Sequence, residues 1–142
     1  AICRGEEAPP VLGGSLCYDP VNDRIILAGG GHVVAKDSSG NLKGSAGTWF
    51  FDCKLSKWSS AGCNPELPPR IASRLVYDDK NRVMVCFGGD NHTHYLADTW
   101  IFDPEKLMWK KSKTKAGPEA RVYILIEKCT TFTLKSVPLI LS

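Results

Sequence analysis

The sequence predicts an all-β chain made of two similar units, each forming a four-stranded antiparallel sheet. Three observations carry this reading. Apolar, β-branched and aromatic runs of strand length occur twice in the same order. Asp, Asn, Pro and Gly clusters separate them with turn chemistry. The 3.6-residue periodicity of an amphipathic helix is absent throughout. Sheets are expected over about residues 11–60 and 70–115, with no helix longer than one turn.

The first unit opens with an apolar run ending in Tyr18-Asp19. A turn at Pro20-Val21-Asn22 follows, then a second run, Ile25–Ala28, closed by Gly29-Gly30. In the second unit, Tyr77-Asp78, a turn at Asp79-Lys80-Asn81 and the run Val83–Phe87 lead to Gly88-Gly89. The two align without a gap at an offset of 59 residues. Farther on, Thr48-Trp49-Phe50-Phe51-Asp52 and Trp58 match Thr99-Trp100-Ile101-Phe102-Asp103 and Trp109 at an offset of 51. The difference of eight is an insertion between Gly30 and Thr48, in a stretch rich in Gly and Ser. The recurring Asp19, Asp52, Asp78 and Asp103 read as turn residues, not as an active site. The glycine doublets end the second strand of each unit, where a missing Cβ admits close approach of backbone or an aromatic ring. Trp49, Trp58, Trp100 and Trp109 are read as structural. Trp58 and Trp109, at matched repeat ends, are expected to be largely buried between neighbouring sheets.

This order of elements, at a recurrence near 50 residues, resembles the kelch repeat. The family pattern is an apolar strand ending in Tyr-Asp, a second ending in Gly-Gly, a strand like Asp-Thr-Trp-x-Phe-Asp, and a final Trp. Leu75–Asp78, Val83–Gly89, Asp98–Asp103 and Trp109 supply every part of it, and the resemblance covers roughly residues 10 to 121. It implies an incomplete kelch-type β-propeller of the galactose oxidase central-domain-like superfamily, with two four-stranded antiparallel blades. The division expected is a lead-in over 1–9, blade one over 10–60, blade two over 61–116, and an atypical tail over 117–142. In that tail Gly117–Arg121 starts a third copy, but neither Tyr-Asp nor Gly-Gly follows. Propellers close with about four to eight blades, so two would leave open edges and apolar faces. The chain is expected to be a fragment, or a marginal fold completed by further blades in cis or by an oligomer.

Composition bounds the function. Over 142 residues the net charge is +3, too weak to imply nucleic acid. No apolar run approaches the roughly 18 residues of a membrane helix, so neither a nucleic-acid nor a membrane partner is expected. The sequence starts at Ala1 and shows no signal-peptide pattern. Six cysteines include no C-x-x-C pair, which argues against a zinc knuckle. Cys17 and Cys86 lie within apolar runs and read as buried thiols. Compartment is left open.

Antiparallel order sends the loops after the second and fourth strands to one end of each blade. These are His32–Gly47, Ser59–Pro69, Asp90–Ala97 and Lys110–Glu119. In kelch proteins that end often carries the ligand site. The candidate ligand face is therefore Arg70, Arg74, His32, His92, Lys110 and Lys111. Arginine can grip a carboxylate through paired hydrogen bonds; equally, Arg70 and Arg74 suit structural pairing between blades. Val11 and Ser15 stand at their places in the first unit, and Arg121 matches Arg70 in the third. His92-x-His94 gives two nitrogen ligands, short of a metal site. Asn91-His92-Thr93 is an N-glycosylation sequon. No catalytic residue set, metal or cofactor is predicted. The resemblance implies a binding module for a protein or carbohydrate, with acidic ligands favoured by the basic face. A fragment of a kelch-propeller enzyme acting on sugars, such as an oxidase, epimerase or mutarotase, is the alternative.

Overall fold

A computed structural model describes residues 11–31, 38–40 and 47–113. His32, Arg121, the tail over 117–142, and Cys3 and Cys129 lie outside the described residues, as does most of the Gly- and Ser-rich insertion. The described chain is all-β. The strands are β1 (Leu12–Asp19), β2 (Arg24–Gly31), β3 (Trp49–Asp52), β4 (Lys57–Ser60), β5 (Arg74–Asp78), β6 (Val83–Phe87), β7 (Thr99–Asp103) and β8 (Met108–Lys111). They form two four-stranded sheets, β1-β2-β3-β4 and β5-β6-β7-β8, antiparallel throughout.

The hairpin turns follow from their aspartates. Asp19 Oδ1 accepts from the N–H groups of Val21 (3.1 Å) and Asn22 (3.3 Å), and Asp78 Oδ1 from those of Lys80 (3.0 Å) and Asn81 (3.1 Å). Asp52 and Asp103 do the same for the residues two and three places on. Each side chain thus imitates a backbone turn and fixes the register of its hairpin. Every turn then closes through one left-handed residue: Asp23, Ser56, Arg82 or Leu107, with φ of 49–55°. These four keep the sequence offsets, Asp23 to Arg82 and Ser56 to Leu107, so the repeat extends to backbone conformation.

The core lies between the two sheets. Ile26 and Ala28 of β2 meet Leu75, Met84, Cys86, Phe102 and Trp109 of the second sheet, with Leu67 from the connecting segment. Phe50 and Phe102 face each other across it at 6.4 Å between ring centroids. The segment after β4 threads this seam. Arg70 O accepts from Gly30 N–H at 2.7 Å, and Gly13 O from Ala72 N–H at 2.8 Å. Here the glycine doublet is required: Gly29 has φ +70°, and a Cβ on it would lie 3.0 Å from Arg70 O. At the other end Arg24 binds Asp19 (3.0 Å) and Pro104 O (3.3 Å) while lying over the Phe50 ring.

The two tryptophans at matched positions differ. Trp109 is 1% exposed. Its ring packs on Phe102 at 5.0 Å, and its indole N–H donates to Thr48 Oγ1 at 2.8 Å. Trp58 makes the same ring pair with Phe51, at 5.2 Å, but is only half-buried. The expectation that both are largely buried holds for Trp109 and is corrected for Trp58: among the described residues the first sheet covers the face carrying Trp109, and no sheet packs on the matching face of the first.

Candidate functional site

Register places the strand ends predicted to carry the ligand face together. Arg74 pairs with Phe87, Phe87 with Thr99, and Trp100 with Lys111. Arg74, the start of β7 and the end of β8 therefore share one end of the second sheet with the loop that follows β6.

That loop is compact. Leu96 N–H donates to Gly89 O, and Asp90 bridges both Ile71 and Tyr95. At its tip, His92 has φ +74°, and its N–H donates to Asp90 Oδ1 at 2.7 Å. Asn91 Oδ1 accepts from the N–H groups of Thr93 and His94 and from Thr93 Oγ1. His92, His94 and Tyr95 are exposed on this small platform.

Arg70 occupies a different setting from the other candidates. It is 1% exposed. Its Nη1 donates to Asp98 Oδ1 (2.7 Å) and Gly88 O (3.0 Å), its Nη2 to Asp98 Oδ2 (3.2 Å) and its Nε to Pro68 O (3.2 Å). The paired contacts to Asp98 use the planar fork of the guanidinium, and Trp100 lies alongside, its ring centroid 5.8 Å from the guanidinium carbon. This geometry favours the pairing role weighed for Arg70. Burial pushes the Asp98 carboxyl up, but hydrogen bonds from Arg70 and Trp100 and the charges of Arg70 and Lys111 outweigh it. The carboxyl is held below its ordinary range. Lys111 reaches Asp98 at 3.9 Å from a largely exposed position, and Lys110 is exposed beside it. Arg74 is half-buried at the head of β5.

Asp98 is the residue that sequence reasoning missed. The signal was present: Gly47 stands at its place in the first unit and Val11 at that of Arg70, so both members of the pair are missing together. That pattern is expected of a buried ion pair, in which either charge alone is costly.

Cys17, Cys63 and Cys86 are free, and burial pushes each thiol up to about 11. They are protonated at neutral pH and pack as small apolar groups. Among the described residues no three His, Cys, Asp or Glu side chains converge as metal ligands, and no helix is long and apolar enough to cross a membrane.

No protein-family model matches the sequence. Among solved structures, the chain is similar to that of YjhT, with a TM-score of 0.58 and 18% identity, over 86% of this chain and 32% of that one. The chain spans about a third of the length of that structure. The likeness is one of fold: two antiparallel four-stranded sheets packed face to face fit part of a propeller.

Proposed function

We propose that the chain is part of a kelch-type propeller and serves as a binding module, its units falling at 10–60 and 61–116. The ligand is a carboxylate-bearing one, an acidic peptide or an anionic sugar, met on the end of the sheets where Arg74, His92, Lys110 and Lys111 gather. Because the Arg70 charge is already balanced by Asp98, Arg70 contributes by holding the start of β7 in place.

One observation carries the reading. Lys110, Lys111 and Lys113 lie exposed and close in sequence at the end bearing the platform of Asp90–Ala97; the opposite end also exposes Lys54, Lys57, Lys80, Arg82 and Lys106, but there the turns are built on Asp19, Asp52, Asp78 and Asp103, and Lys106 pairs with Asp103 at 3.3 Å. Loops presented by a rigid scaffold are the usual seat of recognition. The probes are an octaglutamate peptide and a polyuronate oligosaccharide, titrated against the full chain by calorimetry. Removing Lys110 and Lys111 together should weaken binding at least tenfold, as expected if each charge-assisted contact is worth roughly 1.5 kcal/mol or more, while Lys80→Ala at the opposite end leaves it unchanged. Loss of binding through Lys80→Ala alone would place the ligand at the wrong end for this proposal.

A further inference from the structure

The motif Asn91-His92-Thr93 plays no part in the ligand face and has a geometry of its own. It is the one Asn-x-Ser/Thr triplet, with x other than proline, in the whole sequence. It falls at the tip of the loop between β6 and β7. The base of that loop is closed by the bond of Leu96 N–H to Gly89 O and by the mutual bonds of Asp90 and Ile71. The base therefore belongs to the sheet framework, and the tip stands clear of it: His92, Thr93, His94 and Tyr95 are all exposed. Loop tips carried on a rigid scaffold are where enzymes gain access to a folded chain.

The Asn91 side chain is held in one orientation. Its Oδ1 accepts from the N–H of Thr93 at 3.1 Å, from the N–H of His94 at 3.0 Å and from the Thr93 hydroxyl at 2.9 Å. Two of these donors are backbone N–H groups, which cannot accept, so Oδ1 must face the loop and Nδ2 must point away from it. Among the described residues Nδ2 has no hydrogen-bond partner, and no buried side-chain nitrogen or oxygen is left without one. The amide nitrogen is therefore open to solvent. The Thr93 hydroxyl beside it is held by Asn91 Oδ1 and lies 3.0 Å from His94 Nδ1. The amide and the hydroxyl, the two groups that define the motif, thus stand side by side on the surface.

We propose that Asn91 is an acceptor site for N-linked glycosylation, the donor being an oligosaccharide carried on a polyprenyl diphosphate. Transfer forms a bond from Asn91 Nδ2 to the anomeric carbon of the first sugar and breaks the bond from that carbon to the diphosphate oxygen. The diphosphate leaves with the bonding pair and takes up the proton lost by Nδ2, so nothing is oxidised or reduced. The loop can carry the product as it stands. Only the outward nitrogen is altered, and Oδ1 keeps the three hydrogen bonds that shape the tip. The inference is independent of any ligand at the basic end of the sheets.

The test uses the purified, folded full chain with a polyprenyl-diphosphate oligosaccharide and an oligosaccharyltransferase shown to be active on short Asn-x-Thr peptides. Intact mass and peptide mapping are the readout. The expected result is a gain of one glycan per chain, mapped to Asn91, with the circular dichroism spectrum unchanged. Asn91→Gln should abolish the gain, Thr93→Ser should keep it, and Thr93→Ala should slow it about tenfold or more. All three changes fall at the exposed loop tip, and circular dichroism checks that each variant folds. A chain that stays unmodified overturns the proposal. A free peptide of residues 88–96 treated alongside then tells why: if the peptide is modified, the folded loop withholds Asn91, and if it too stays bare, the triplet is no acceptor. Modification of Thr93→Ala at the parent rate, or a glycan mapped to another residue, overturns the proposal as well.

Discussion

Trp109→Ala is the perturbation that most sharply distinguishes the buried seam from the open face. The ring is 1% exposed, stacked on Phe102, and anchored by its indole N–H to Thr48. Truncation removes the transfer energy of the ring, leaves a cavity between the sheets, and breaks one buried hydrogen bond. A loss of about 3–5 kcal/mol is expected for a tryptophan so placed. Thr48 keeps its bond to Glu66, so no further penalty for an orphaned hydroxyl is added. Trp58→Ala removes the same ring from the same repeat position, but Trp58 is only partly buried, and the loss should be about 1–2 kcal/mol. Urea unfolding followed by circular dichroism gives both values on the full chain. A loss below about 1 kcal/mol for Trp109, or equal losses for the two, would refute the assignment of Trp109 to an inter-sheet core.

Other predictions rest on the seam and its ion pair. Asp98→Gly should cost about 3–5 kcal/mol, because Arg70 is left buried without its carboxylate, and the double change Arg70→Val with Asp98→Gly, which installs the Val11 and Gly47 pattern of the first unit, should recover part of that loss; strict additivity in the cycle completed by Arg70→Val would count against the pair. Since the folded carboxyl of Asp98 is held below its ordinary 3.8, its contribution is full above that value and is lost as pH falls through the lower folded value; urea midpoints measured downward from pH 5 should fall less steeply in Asp98→Asn than in the parent. Gly89→Ala should destabilise by roughly 2 kcal/mol or more, since φ is +106° and the new Cβ would sit 2.8 Å from Ile71 O, while Gly62→Ala, with φ +63° but open space around it, should cost only about 1 kcal/mol. Equal losses at the two glycines would remove the close-approach argument.

Much of the fold was legible because its determinants are local and doubled. Each Asp at a strand end caps its own turn, and each Gly-Gly ends a second strand, so turns and register could be read from spacing alone. Trp58 shows where that reasoning stops. Its sequence context equals that of Trp109, but burial depends on whether a neighbouring sheet is present, and nothing local to residue 58 encodes the neighbour. The candidate site was read less fully for a related reason. Arg70 stood out as a charged residue at a strand start. Its environment is set by Asp98, twenty-eight residues away, and by carbonyls that only the folded chain brings to it. His92 is exposed on its loop as the sequence conveys; Lys110 and Lys111, expected at the start of a loop, instead end β8, paired with Ile101 and Trp100, with their side chains exposed.

The central claim is that two repeat units pack face to face through Trp109 and Thr48, and proton NMR of the full chain tests it most directly. The Trp109 indole N–H, assigned by its loss in Trp109→Phe, should show cross-relaxation to the Thr48 side chain, with slowed exchange against solvent. The Trp58 indole N–H should exchange quickly. A chain with intact β-sheet signal in which the Trp109 indole exchanges as fast as that of Trp58, with no contact to Thr48, would contradict the account.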